Sequence, residues 1–298
     1  MKKTVRIGSR GSALAMYQTN FVKATLEKQF PDYEITIEII KTEGDIDRNS
    51  PLASFEGRGA FVKSIENALL KNDVDIAVHS LKDLPSELPE GLTLGAVPDR
   101  TDVRDVLATA DGSSLMDLPA GSIVGTGSER REKQAASLRP DLEYKGIRGN
   151  VGTRIGKIGE GYDAVMLAAA GLKRLGLEDK IGSYFDVTEI VPAPCQGAIG
   201  IECRSDDSET LEMLAAIEIT DMRVCVDIER TFIATLGMGC HTPVGAYALP
   251  EDGKYRFNYY VLMDENKAAT KGSILVDAEN AADAVSDLAL DIRNDDNL

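Results

Sequence analysis

Three groups of residues carry side chains suited to chemistry. The first is His79-Ser80-Leu81-Lys82-Asp83-Leu84-Pro85, where Lys82 and Asp83 stand side by side as an apolar stretch gives way to a turn. A carboxylate there can accept a hydrogen bond from an N–H group whose ring becomes cationic, holding that charge until a proton leaves. The bland alternative is a solvated ion pair of little energetic weight. His79 taken alone reads as a hydrogen-bonded core residue.

The second group is a set of arginines at Gly-rich turns. Gly125-Thr126-Gly127-Ser128-Glu129-Arg130-Arg131 opens a helix with two arginines. Free backbone N–H groups and the helix dipole at such a turn favour an anion, and Thr126 and Ser128 add hydroxyl donors. Arg148-Gly149-Asn150-Val151-Gly152-Thr153-Arg154 repeats the design, Arg174 lies just beyond a third turn, and Arg10 occupies the first. Guanidinium forks suit bidentate carboxylate or phosphate recognition. A solvated helix face would explain any one of them; six at or just beyond strand-end turns point to a polyanion site. Ile123–Arg174 holds 10 basic and 6 acidic residues, although the chain has 33 Lys+Arg against 49 Asp+Glu and a net charge of −16, so the sign inverts locally. An anion would be drawn to this cluster against the repulsion of the whole protein.

The third group is Leu236-Gly237-Met238-Gly239-Cys240-His241-Thr242-Pro243-Val244-Gly245. A thiolate in a loop whose glycines admit a close-lying group can be a nucleophile or a covalent anchor. A small buried apolar cysteine is the usual alternative, and it suits Cys203 and Cys225 better.

Other chemistries find little support. Four cysteines and two histidines show no zinc-site spacing, so no metal is expected. No Ser–His–Asp or Cys–His–Asn arrangement, Walker loop or G-x-G-x-x-G fingerprint can be read. With 5% aromatic residues, no Trp and a strongly acidic balance, nucleic acid is an improbable partner. No apolar run approaches the roughly 20 residues of a membrane span. Met1-Lys2-Lys3-Thr4-Val5-Arg6 leads into a polar segment without a signal-peptide core, so the cytoplasm is the expected location.

Alternating strand-like and helix-like segments must position these groups. Thr4–Ile7 reads as a strand and Ala13–Phe30 as a helix capped by Ser12, with Leu14, Tyr17, Phe21 and Leu26 as its apolar stripe. Glu34–Lys41 alternates as a strand, and Thr42–Gly59 reads as a long loop of the size that serves as a lid. Phe61–Leu70 is helical; Asp75–Val78 and Leu92–Val97 are strands. From about Thr101 a second unit begins, with strands at Ser122–Gly125 and Ala164–Leu167 and helices at Glu129–Leu138, Val151–Ile158 and Ala168–Leu175. Such alternation predicts mostly parallel α/β sheets, whose ligands bind at the carboxyl ends of the strands. Pro192-Ala193-Pro194 reads as a crossover, and Ile199–Cys203 as a strand. The last third, a helix over Asp221–Leu236, strands at Val244–Leu249, Arg256–Leu262 and Ser273–Val276 and a helix over Ala281–Ile292, is α+β.

Along essentially its whole length the sequence resembles the porphobilinogen deaminase (hydroxymethylbilane synthase) family. The matching segments are Arg6-Ile7-Gly8-Ser9-Arg10-Gly11-Ser12-Ala13-Leu14-Ala15, Gly59-Ala60-Phe61-Val62-Lys63, Asp75 through Pro85, Val124 through Arg131, Ile147 through Arg154, Ala168 through Gly176, Gln196 through Cys203, and Glu229-Arg230 through Gly245. Their order makes the match far more specific than any one of them.

The resemblance implies an enzyme, a transferase of tetrapyrrole biosynthesis. It condenses four porphobilinogen molecules head to tail, releasing ammonia each time, to the linear tetrapyrrole hydroxymethylbilane. It implies a dipyrromethane cofactor held by a thioether to Cys240, and Asp83 as the catalytic carboxylate that bonds pyrrole N–H groups while a cationic azafulvene forms. Lys82, Thr126, Ser128, Arg130, Arg131 and Arg154 match cofactor contacts; Arg10, Ser12, Phe61, Arg148, Arg154, Arg174 and Gln196 match the substrate side. The implied fold has two α/β domains with mixed sheets, like those of solute-binding proteins, and a small C-terminal α+β domain with an antiparallel sheet. The expected boundaries are 1–99 with 195–217, 100–194, and 218–298, in a monomer.

This chain departs from the family pattern at Met238, at Arg58 for a customary Lys, at Glu129 before the arginine pair, at His241 for a common Gln, and at Cys195 for a common Gly. None removes a catalytic group. Two other readings remain open: a non-catalytic binding protein of solute-binding fold that captures an anionic metabolite, and a phosphate-handling transferase that would need Mg²⁺ and nucleotide.

Overall fold

Short apolar runs become the buried strands of two five-stranded sheets. In the computed structural model the described residues are 3–42, 62–237, 242–264 and 266–295. The chain divides into two units, Met1–Thr101 with Ala198–Arg223, and Asp102–Gly197 with Val224–Leu298.

The first pass through unit one gives β1 (Lys3–Ser9), α1 (Ala13–Gln29), β2 (Tyr33–Ile39), α2 (Lys63–Leu70), β3 (Ile76–Ser80) and β4 (Leu92–Arg100). Unit two then supplies β5 (Asp105–Thr109), β6 (Ile123–Gly125), α3 (Glu129–Leu138), β7 (Glu143–Lys145), α4 (Val151–Ile155), β8 (Ala164–Ala168), α5 (Ala169–Arg174) and β9 (Ile181–Tyr184). The chain returns through β10 (Ala198–Arg204) and α6 (Ser208–Ala215). It closes with α7 (Thr220–Leu236), β11 (Val244–Glu251), β12 (Lys254–Val261), β13 (Thr270–Val276) and α8 (Ala281–Asp295).

The sheet of unit one has the order β2-β1-β3-β10-β4, and the larger sheet of unit two β7-β6-β8-β5-β9. Both are mixed, as the family resemblance implies and against the mostly parallel sheets that the alternation alone predicts. β1 runs parallel to β2 and β3, and β6 parallel to β7 and β8. β10 is antiparallel to β3 and β4, and β5 to β8 and β9. The alternating pattern signals only strands joined by a helical crossover. β5 and β10 each follow a passage between units, so no such crossover fixes their sense. β7 and β9, short sheet edges with little apolar content, went unread, as did the buried β5, only five residues long.

α1 starts where expected, with the Ser12 side chain accepting from the Ala15 N–H at 3.3 Å. Its buried face is not the expected one. Gln18, Thr19, Val22 and Leu26 face inward, while Tyr17 and Phe21 are 47% and 37% exposed. Polar pairing decides this: Thr19 and Ser9 hydroxyls meet at 2.6 Å, and Gln18 Nε2 donates to Ser80 Oγ at 2.9 Å. Ile7, Val22, Leu26, Ile76 and Ile201 form the surrounding core. In unit two, Leu107, Val124, Ala164 and Met166 fill the core of the larger sheet. The antiparallel sheet β11-β12-β13 packs against α7 and α8, with Phe232 and Phe257 edge to face.

Candidate active site

Asp83 owes its position to its apolar neighbours. β3 is buried over Ile76–His79, and the chain leaves it through the 3-10 turn Leu81–Asp83. Leu81 and Leu84 are buried, so the two residues between them, Lys82 and Asp83, are exposed. The Leu84 N–H closes the turn on the Leu81 carbonyl at 3.1 Å. Beneath it lies Gly200 on β10, opposite His79; a methyl there would stand 2.6 Å from Leu81 Cδ1. Gln18 ties α1 to Ser80 just before the turn. His79 is buried as expected, its Nε2 3.2 Å from Glu202 Oε2. The parallel register of β1 and β3 (Ile7 beside Ile76, Gly8 beside Ala77) places Arg10 and Ser12 at the same carboxyl edge of the sheet as the Lys82–Asp83 turn.

The arginine turns of unit two also share a carboxyl edge, because β6 is parallel to both β7 and β8 with Gly125 beside Lys145 and Val165. Thr126 is buried, and its Oγ1 accepts from the Ser128 N–H at 3.2 Å. It therefore shapes the turn, more than it offers a free hydroxyl donor. Ser128 caps α3 by position and makes no side-chain capping hydrogen bond. In the next turn Asn150 caps α4, accepting from the Thr153 N–H at 2.9 Å, and Arg154 Nε donates to the Gly149 carbonyl at 2.7 Å. Arg148 beside it is exposed. Arg174, the last residue of α5, is buried, and its Nη2 donates to the Gly197 carbonyl at 2.7 Å.

Arg130 and Arg131 are not on a solvated face: they are only 4% and 6% exposed. Their forks close on Asp105, the first residue of β5, which sequence reasoning missed. Arg131 Nε reaches Asp105 Oδ1 at 2.7 Å, and Arg130 Nη1 lies 2.7 Å from Oδ2. Gln196 Nε2 donates to Asp105 Oδ1 at 2.9 Å and to the Val103 carbonyl at 2.8 Å, and its Oε1 accepts from Arg131 Nη2 at 3.3 Å. Arg130 Nη1 also donates to the Val191 carbonyl. Complete burial pushes the Asp105 carboxyl up, and the two guanidiniums more than reverse that, holding it well below the usual carboxylate range. The only sequence signal for Asp105 was a carboxylate heading a short apolar run. Glu129, the residue suspected of neutralising the pair, is exposed.

Two guanidiniums against one carboxylate leave this buried trio one positive charge in excess. Arg130 Nε is buried without a hydrogen-bond acceptor among the described residues. A buried unbalanced cation with an unmet N–H calls for a further anion. A carboxylate-bearing group fits that demand.

The crossover beside the cluster is held firmly. Cys195 adopts φ 59°, a conformation in which a side chain costs about 1–2 kcal/mol and glycine none. Its N–H donates to Glu229 Oε2 at 2.6 Å, while Glu229 Oε1 accepts from the Ala248 N–H at 2.7 Å. The buried Glu229 carboxylate thus pins the crossover to β11. Cys203 and Cys225 are buried as expected, and burial pushes the Cys203 thiol up to about 11. Phe61, Met238, Cys240, His241 and residues 43–59 of the expected lid, Arg58 included, lie outside the described residues. Among the described residues no cluster of three or more His, Cys, Asp or Glu could hold a metal, and no helix is long and apolar enough to cross a membrane.

Residues 5–212 match the family model described as "Porphobilinogen deaminase, dipyromethane cofactor binding domain", and residues 223–294 match "Porphobilinogen deaminase, C-terminal domain". A porphobilinogen deaminase of Syntrophobacter fumaroxidans is 48% identical over 252 residues, 84% of this chain and 82% of its own. One from Chloroherpeton thalassium is 44% identical over 275 residues, 92% of this chain and 88% of its own. Among solved structures, the methionine-binding protein MetQ overlaps 72% of this chain and 89% of its own at TM-score 0.46 and 11% identity.

Proposed function

This chain belongs to the porphobilinogen deaminase family, and from that we propose that it condenses four porphobilinogen molecules head to tail into hydroxymethylbilane, with its own residues dividing the work as follows. At each step the C–N bond of the substrate aminomethyl group breaks and ammonia leaves with the electron pair. The methylene carbon then bonds the free α carbon of the growing chain end, which gives up its proton. Positive charge develops on the substrate pyrrole as the amine departs. Asp83, exposed at the tip of its turn, accepts the pyrrole N–H and offsets that charge. Lys82 pairs with a side-chain carboxylate.

The dipyrromethane cofactor, bound as a thioether to Cys240, supplies the primer on which the chain grows. Arg130, Arg131 and Arg154, with the Thr126–Ser128 turn, bind its acetate and propionate groups. Arg10, Ser12, Phe61, Arg148, Arg174 and Gln196 serve the incoming substrate. The observation that carries this assignment is the surplus positive charge buried at Arg130 and Arg131. An acidic protein that retains such a charge has a use for a bound carboxylate. The three-domain partition at 99/100, 194/195 and 217/218, a cytoplasmic location and a monomeric state complete the proposal.

Intact-mass spectrometry of the purified protein tests it. The mass should exceed the sequence by one dipyrromethane, the Cys240→Ser variant should lack the increment, and porphobilinogen should yield ammonia and a product that cyclises to fluorescent uroporphyrin. An unmodified protein that binds porphobilinogen reversibly without releasing ammonia would instead be the binding module.

The Leu81 seat yields a second expectation. Gly200→Ala forces Leu81 to move, so stability should fall by about 1–3 kcal/mol, the usual cost of overpacking a close-packed core. Turnover should fall further than substrate affinity, because Asp83 is two residues away. Denaturant titration and steady-state kinetics measure both; a variant unchanged in each would show that the turn does not rest on Gly200.

A further inference from the structure

Asp105 has no role in the reaction as assigned, yet it is fully buried between two guanidiniums. Both of its oxygens are engaged by the arginine pair, and Gln196 adds a third donor. The arrangement is stiff, because each partner has a second anchor: Arg130 on the Val191 carbonyl, Gln196 on the Val103 carbonyl, and Arg131 on Gln196. Without Asp105, two guanidiniums would sit in the interior held only by neutral acceptors, with no anion to offset their mutual repulsion. A ligand would then have to assemble the forks and neutralise both charges.

We propose that Asp105 is a resident counter-anion: it holds Arg130 and Arg131 together before any ligand binds, and it sets their residual charge to match a single ligand carboxylate. This deepens the proposed function and rests on it, since the carboxylate in question belongs to the dipyrromethane group. Asp105 is a positioning residue and touches no reacting atom. Its gain is preorganisation, because forks already placed lose little freedom when the ligand arrives. The unmet Arg130 Nε is a donor that such a carboxylate can claim.

The test separates this role from mere structure. In a Cys240→Ser background, which cannot carry the thioether, Asp105→Asn should lower the melting temperature. Acetate should restore much of that loss and should stabilise the Asn variant more than the Asp105 parent, because the variant has two unmatched guanidiniums and the parent one. With Cys240 intact, intact-mass spectrometry should show loading in Asp105→Asn reduced by about tenfold or more, in line with the loss of charge-assisted hydrogen bonds. Asp105→Glu, which keeps the charge, should load better than the Asn variant. If Asp105→Asn does not fold, adding Arg130→Leu should rescue folding by returning the surplus from two charges to the single one of the wild type.

Wild-type loading in Asp105→Asn would overturn the proposal. So would a stability loss that acetate leaves untouched, or a failure of Arg130→Leu to rescue folding. A wild-type protein that carries no adduct and releases no ammonia would defeat the proposed function instead. The acetate response needs neither loading nor turnover, so the two failures can be told apart.

Discussion

Replacing Asp83 with Asn is expected to cut turnover by roughly 10²–10³-fold, the scale of losing one preorganised electrostatic partner of a developing charge, while leaving the fold intact. The two halves of this expectation have separate origins. Leu81 and Leu84 are buried and seat the turn, and the Leu84 N–H bonds the Leu81 carbonyl. Asp83 itself is exposed, so an isosteric amide disturbs no packing. Turnover suffers because a neutral carboxamide can still accept a hydrogen bond but cannot balance a cation. Ammonia release measured beside thermal denaturation decides the matter. Near-native turnover would remove Asp83 from the mechanism, and a matching loss of stability would make it structural.

Removing both Arg130 and Arg131 as alanines is expected to destabilise the protein by about 3–5 kcal/mol at neutral pH, because it strands a buried carboxylate. The pH dependence gives a sharper signature. In the native protein the folded Asp105 carboxyl lies well below its ordinary value of 3.8. Its contribution to stability is therefore complete above that value and is lost as pH falls through the depressed folded value, since there the unfolded chain binds the proton first. In the double variant burial, the largest influence, is opposed only by the Gln196 hydrogen bond and raises the folded carboxyl above 3.8. The folded state then takes up the proton first, and stability falls as pH rises through the ordinary carboxylate range. The gap between variant and wild type should thus narrow on acidification from neutrality towards about pH 4. Urea titrations across that range measure it; a gap independent of pH would mean that the loss comes from packing alone.

Departures from the family pattern gain different degrees of explanation. Cys195 sits at positive φ, the conformation that accounts for a glycine being common there, and the Glu229 carboxylate holds its N–H in place. Glu129 faces solvent, while the arginines that follow it are buried against Asp105.

Much was legible from local chemistry. Ser12 before an apolar-periodic stretch, Gly-rich turns after short apolar runs, and Lys82-Asp83 at the end of an apolar stretch are signals whose causes lie within a few residues. They mark α1, the arginine turns and the position of Asp83 at a strand end. Pairings across long separations in the chain left no such mark. The antiparallel sense of β5 and β10, the inward turn of Gln18 and Thr19 where Tyr17 and Phe21 were expected, and the Glu229 clamp each depend on partners far away in sequence. The arginine pair joins both cases. Its type and spacing announced an anion site, since charge and hydrogen-bonding capacity belong to the residues themselves. That the first anion it meets is Asp105, some 25 residues upstream, was decided by the sheet that carries β5 beside β8, because burial and charge balance depend on the neighbours that folding brings together.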